Sequence, residues 1–257
     1  MSKKAKSKHL KEKKEPLLKK IILMILLIVF TVLFIISGMK IVNYLKDATT
    51  TNKIIDDISK SIEVQKVGEE DIYNIDFTSL KEKNSDTIGF VKVNGTEIEH
   101  VVVKAKNNDF YLSHDFEKNE NIEGWIFADY RNKLDGNDKN IIIYGHNMKN
   151  NNMFGTLKNI LNDDWKDVKE NRYVKFITEN EQNTYEVFSV YEIEAENYYL
   201  NTEFSDQSFE EFKEKVKQRS KFNFNVDVKN AKQIITLSTC GNSNKNRVVL
   251  HAIKLEQ

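Results

Sequence analysis

The chain has 257 residues, 40% of them hydrophobic and 11% aromatic, with 39 basic and 39 acidic side chains and a single cysteine. That apolar content excludes an intrinsically disordered chain, and the length suits one domain of ordinary size with extensions. The zero net charge hides an asymmetry, because residues 1–20 carry nine lysines against Glu12 and Glu15, and the remainder carries the compensating negative excess.

Residues 21–39 are uncharged and almost all Ile, Leu, Val, Met and Phe. At 1.5 Å per helical residue they cover roughly 28 Å, the thickness of a bilayer's hydrocarbon core, so a transmembrane helix is predicted. The competing reading is a cleaved signal peptide. It requires a shorter apolar core and a small-x-small cleavage site, whereas Lys40-Ile41-Val42-Asn43-Tyr44 follows here. The positive-inside rule then makes residues 1–20 a cytoplasmic tail, 21–39 a signal anchor and everything after Lys40 extracellular, in a single-pass arrangement at the cell membrane. A nucleic-acid role for the basic tail is not expected. One cysteine in an oxidising compartment cannot form an internal disulfide, so the thiol is either buried and inert or a nucleophile.

Residues 40–70 read as a juxtamembrane helical stalk or lid, because Ile54, Ile55, Ile58 and Ile62 recur near the helical period. A solvated linker is an equal alternative. Residues 71–257 form the expected main extracellular domain, which opens on a short helix over 77–83. Strands follow at 88–93, 98–103, 124–129, 140–144, 172–178, 184–193, 232–239 and 247–255. The first two are joined through Asn94-Gly95, a strong hairpin signal. About eight strands with few helices predict a mainly β fold closed into a barrel. Two helical interruptions are expected, over 153–160 and over 208–219, the second with Phe209, Phe212 and Val216 on one face.

Cys240 ends the apolar run that begins at Ile234, and Arg247 opens the next one. Paired as an antiparallel hairpin, Cys240 and Arg247 face each other with side chains about 5 Å apart at the root. A fixed cation there favours thiolate or stabilises an oxyanion. The alternative is a cysteine packed in the barrel and a solvated arginine. A thiol nucleophile needs an imidazole. In this register His251 faces Thr236, about 13 Å along the strand from Cys240, and reads as structural. His100 and His114 read as surface or turn histidines. His146 leaves the end of the core strand Ile141-Ile142-Ile143-Tyr144 through Gly145 into a polar loop, a placement common to catalytic groups. The scattered histidines and lone cysteine lack zinc spacings, and glycine-rich phosphate loops are absent, so no cofactor is expected.

Leu237-Ser238-Thr239-Cys240, the later Arg247, Tyr144-Gly145-His146-Asn147-Met148 and Met153-Phe154 together resemble the signature of the class B sortases. The likeness covers roughly residues 71–255, including Asn108-Asp109-Phe110-Tyr111-Leu112 and the stretch from Ile126 to Asn132. It implies an eight-stranded sortase-type β-barrel with N-terminal helices and a helix between the sixth and seventh strands. It also implies a membrane-anchored cysteine transpeptidase of Gram-positive-type cells. On this resemblance Cys240 attacks the threonine carbonyl of a C-terminal sorting signal to form a thioester. His146 carries the proton, and Arg247 holds substrate and oxyanion. The implied partners are surface proteins bearing the sorting motif and an amine of the peptidoglycan precursor. The implied substrate contacts are Asn108, Leu112, Tyr144, Ser238, Tyr199 and Leu200. Asn151 and Asn152 replace the family's frequent Gly and Ser, and the loop from Cys240 to Arg247 is short for the family. Other functions compatible with the residues are an extracellular cysteine peptidase, a pilin-polymerising sortase and a non-enzymatic anchored binding module.

Overall fold

The computed structural model describes residues 17–68, 70–240 and 245–256, with Glu70 and Cys240 described by backbone alone. The basic tail therefore lies outside the described residues, apart from its last four. The chain divides into two compact units, Met1–Lys46 and Asp47–Gln257. The described part of the first unit is the start of α1 (Leu17–Ser59), a helix long and apolar enough to cross a membrane.

Within the second unit, α1 runs on to Ser59 and stops. The end of the stretch expected as a helical stalk over residues 40–70 instead turns into a β-hairpin of β1 (Ile62–Val67) and β2 (Glu70–Ile75), with Ile62 opposite Ile75 and Gly68 at a positive φ of 67° in the turn. The sequence Ile62-Glu63-Val64-Gln65 alternates with period two, and that local pattern overrides the continuation of the isoleucine stripe. Ile54 and Ile58 pack into the core cluster, so this part of α1 is not a solvated linker. Thr51 accepts a hydrogen bond from Asn121 Nδ2 at 3.1 Å, and the Ile122 amide donates to Asp47 at 3.2 Å.

The barrel opens after α2 (Phe77–Lys83), which is capped by Asp76 accepting from the Ser79 amide at 3.0 Å. Its strands are β3 (Thr87–Val93), β4 (Glu99–Val103), β5 (Phe127–Ala128), β6 (Asn140–Tyr144), β7 (Tyr173–Ile177), β8 (Gln182–Glu194), β9 (Ile234–Cys240) and β10 (Asn246–Lys254). They close in the order β10-β8-β7-β3-β4-β5-β6-β9, the eight-stranded barrel expected. A small helix α3 (Asp163–Asp167) precedes β7, and α4 (Asp206–Gln218) lies between the sixth and seventh barrel strands.

Two connections place the site. β9 pairs antiparallel with β10, and it pairs in parallel with β6, from Asn140 opposite Ile234 to Tyr144 opposite Ser238. Ile143, Ile235, Leu237 and Val248 are all buried. Fully burying such side chains stabilises by about 1.5–3 kcal/mol each, which fixes the register against slippage. α4 buries Phe209, Phe212 and Val216 as its periodicity predicts, together with Lys213, whose ammonium donates to the Ala231 carbonyl at 2.7 Å and pairs with Glu210.

The helix expected over 153–160 is shorter and of another kind, a 3-10 helix over Leu157–Leu161. Asn151 and Met153 hold positive φ values of 69° and 53°, which a right-handed helix cannot include.

Candidate active site

β6 and β9 run side by side in the same direction, so the residues that leave their C-terminal ends leave at the same edge of the barrel. His146 stands two residues beyond Tyr144, and Cys240 two beyond Ser238, its pairing partner. The exit from β6 is narrow: a Cβ on Gly145 would stand 2.3 Å from Ile126 Cδ1 and 2.8 Å from the Phe154 ring, so only glycine lets the chain turn into the loop there. The Phe154 amide donates to the His146 carbonyl at 2.9 Å and folds the loop back on itself.

On the other side of β9, the hairpin register is the expected one. Cys240 pairs with Arg247, and Thr236 pairs with His251. With the two-residue side-chain period, Ser238 shares a face with Thr236, and Arg247 shares one with Val249 and His251. Arg247 is half-buried, and its guanidinium donates to the Asn246 carbonyl at 3.0 Å. The loop residues 241–244 and the Cys240 side chain lie outside the described residues.

His146 is half-buried, and its Nε2 lies 2.8 Å from the Leu112 carbonyl oxygen. A carbonyl can only accept, so Nε2 carries a proton in this contact. Nδ1 is then the ring nitrogen left to gain or lose one. The same contact ties His146 to Leu112, whose side chain is 42% exposed beside it.

The remaining candidate contacts gather around a residue that the sequence did not single out. Asp129, at the end of β5, is buried and accepts from Asn108 Nδ2 at 2.9 Å, from the Tyr144 hydroxyl at 2.8 Å and from the Arg131 guanidinium at 2.8 and 2.7 Å. Burial alone would raise its carboxyl. The Arg131 hydrogen bonds, with those of Tyr144 and Asn108, outweigh that and hold it below the ordinary carboxylate value. Tyr144 moves the other way, its hydroxyl pushed up by burial and then by the Asp129 charge. Arg131 goes on to donate to the Leu200 carbonyl at 2.8 Å. Tyr199 is buried, with its hydroxyl 3.1 Å from Ser238 Oγ. Asn108, Tyr144 and Leu200 are therefore joined through Asp129 and Arg131, while Tyr199 and Ser238, both buried, form a separate hydrogen-bonded pair beside them. The signal for the pair was the sequence Asp129-Tyr130-Arg131, in which a bidentate ion pair closes over two residues.

The other histidines take structural places. His251 is fully buried, its Nε2 2.8 Å from the Tyr191 hydroxyl and its Nδ1 2.8 Å from Thr236 Oγ1, and burial pulls its pKa down to about 3. His100, expected at the surface, is buried in β4 against Trp125, hydrogen-bonded to the Met153 backbone, with its pKa pulled down to about 4 by burial. It occupies a position in a five-residue strand whose other face carries Val101 and Val103, and a polar residue at the start of such a run, next to Glu99, gives no sign of facing inward. His114 stacks on Phe110 at 4.1 Å and bonds the Phe110 carbonyl through Nδ1; it is half-buried, in an isolated β-bridge with Glu120 and not in a turn.

Comparison with known proteins finds relatives of the whole barrel. The family model for the sortase domain matches residues 91–255. Sortase B of Listeria monocytogenes is 36% identical over 213 residues, covering 80% of this chain and 85% of the relative. Among solved structures, the Staphylococcus aureus sortase B–substrate complex is 28% identical with a TM-score of 0.65, covering 86% of this chain and 98% of the other. A sortase B complexed with triglycine is 32% identical with the same TM-score of 0.65, covering 70% of this chain and 85% of the other.

Proposed function

Because this chain belongs to the sortase family, and within it to the class B cysteine transpeptidases, we propose that Cys240, His146 and Arg247 are its catalytic residues. The observation that carries this is the strand pairing. The parallel β6–β9 ladder sends His146 and Cys240 off the same barrel edge, and the β9–β10 register sets Arg247 opposite Cys240.

In the proposed cycle, the Cys240 thiolate attacks the threonine carbonyl of a C-terminal sorting signal. The carbonyl electrons move onto oxygen, where the Arg247 guanidinium stabilises the charge. Collapse of the tetrahedral intermediate breaks the C–N bond, and the leaving amine takes a proton from His146, leaving a thioester on Cys240. An incoming amine then gives its proton to His146 and displaces the thiolate. The Leu112 carbonyl holds the Nε2 proton throughout, so the exchanged proton resides on Nδ1. The amine belongs to a peptidoglycan precursor, and the product is a surface protein attached to the cell wall. The substrate complex of the Staphylococcus aureus relative and the triglycine complex support a sorting peptide and an amine as the two reactants.

The groove for the sorting signal runs over Leu112 and past Tyr144, Ser238, Tyr199, Leu200 and Asn108. Leu112 offers exposed apolar surface, while Tyr144 and Asn108 are set by their bonds to Asp129. The helix over 21–39 anchors the enzyme, with residues 1–20 cytoplasmic and the barrel outside.

The test is to incubate the full chain with a panel of pentapeptide sorting signals, with and without an added amine, and to trap the acyl-enzyme. A thioester on Cys240 and an amine-dependent product are expected. Cys240→Ala, His146→Ala and Arg247→Ala should each abolish transfer while preserving the fold. Turnover in His146→Ala, or release of free acid unaffected by amine, would overturn the assignment.

A further inference from the structure

The loop that carries His146 is held by more than its own backbone. Glu123 is fully buried, and its two carboxylate oxygens are used separately: one accepts from Asn150 Nδ2 at 2.6 Å and the other from Asn152 Nδ2 at 2.8 Å. Asn152 Nδ2 also donates to Asn52 Oδ1 of α1 at 3.0 Å. Between these two anchored residues, and just after them, Asn151 and Met153 adopt left-handed backbone. Backbone held in that region persists only where its surroundings over-determine it.

Burying a carboxylate is costly, and among the described residues no lysine or arginine pairs with Glu123. Packing alone does not call for a charge here. The two oxygens of Glu123 each accept, which a carboxamide with one oxygen cannot match, so the side chain orients two amides at once with their NH2 groups inward.

We propose that Glu123 is a positioning residue for His146, and that Asn52 completes the clamp. The stretch of α1 from Asp47 to Ser59 is then part of the catalytic unit, and a shift of that helix is transmitted through Asn52 and Asn152 to the imidazole. This rests on His146 being the acid–base group.

The variants that test it are Glu123→Gln, which keeps the shape but opposes one amide with another, and Asn52→Ala, at an exposed position where nothing is unpacked. Full chain in detergent micelles is assayed with sorting peptide and amine, alongside its thermal midpoint and the His146 ring signals in histidine-labelled NMR spectra. Glu123→Gln should lower kcat about tenfold with KM within about twofold, since small displacements of a reacting group cost rate rather than binding. Its pH–rate profile and the His146 resonance should shift together. Asn52→Ala should show the same signature at about threefold in kcat.

Unchanged kcat and an unmoved His146 resonance in both variants would overturn the proposal, as would activity lost only in proportion to unfolded protein. If Glu123→Gln does not fold, Asn52→Ala decides by the same criteria. If wild-type protein forms no thioester but the resonance still moves in Glu123→Gln, the clamp stands and the assignment of function fails.

Discussion

Two polar networks share the strands around β9, and they differ in what sits at the centre. His251 lies among Tyr191, Thr236 and, through Thr236, Asn140, all within the protein, and burial keeps its imidazole neutral with a pKa near 3. Asp129 lies among Asn108, Tyr144 and Arg131, and there hydrogen bonds keep a charge in place against burial. The Arg131 side chain is 38% exposed and reaches the Leu200 carbonyl, so this second network opens to solvent beside the proposed groove. One barrel wall thus carries a sealed neutral hub and an open charged hub. On β9 the two are close: Thr236 belongs to the first, and Ser238, the strand partner of Tyr144 in the second, is only two residues on.

Acidification separates the two hubs most strongly. His251 and His100, near 3 and 4, both sit below the ordinary imidazole value of 6.5, so the unfolded chain binds more protons between those values. Their contribution is intact above pH 6.5 and is lost as pH falls through that window, with a slope approaching about 1.4 kcal/mol per pH unit for each. Asp129, also depressed, gives up its share only below the ordinary carboxylate value of 3.8. Urea denaturation at pH 7.5, 6, 5 and 4 should therefore show falling stability before the carboxylates titrate. A flat profile down to pH 4.5 would break the contrast.

Asp129→Ala should cost roughly 3–5 kcal/mol, because it leaves Arg131 and two further donors without their acceptor. Denaturant melts and peptide turnover should both register it. Tyr199→Phe removes one buried hydroxyl from Ser238, with an expected cost of about 1 kcal/mol and a raised KM. If KM does not move, Ser238 and Tyr199 belong to the sealed wall and not to the groove. Lys232→Ala touches only an exposed pair with Glu256 at 3.3 Å, and should leave melting temperature and turnover unchanged.

What could be read from the sequence is what each segment encodes locally. The eight barrel strands follow their apolar runs within a few residues, helix α2 falls where expected, and the Cys240–Arg247 register follows from counting across one hairpin. What escaped depends on distant partners. His100 faces inward because Trp125 and Met153 come to meet it. The role of Asp129 exists only once Asn108 and Tyr144 arrive from other elements. The hairpin of β1 and β2 was hidden by an isoleucine stripe that fits a helix until Ser59 and alternates as a strand from Ile62.

The parallel ladder between β6 and β9 has a consequence in time as well as in space. Asn140 and Ile234 are adjacent in the sheet but are separated in the chain by α3, two strands and α4. Contacts of such long range carry a large loop-closure entropy and form late. Before that closure, an emerging chain holds its thiol and its imidazole on segments with nothing to bring them together. The proposed nucleophile is thus latent until the barrel is complete, and the order of assembly does what a removable propeptide does elsewhere.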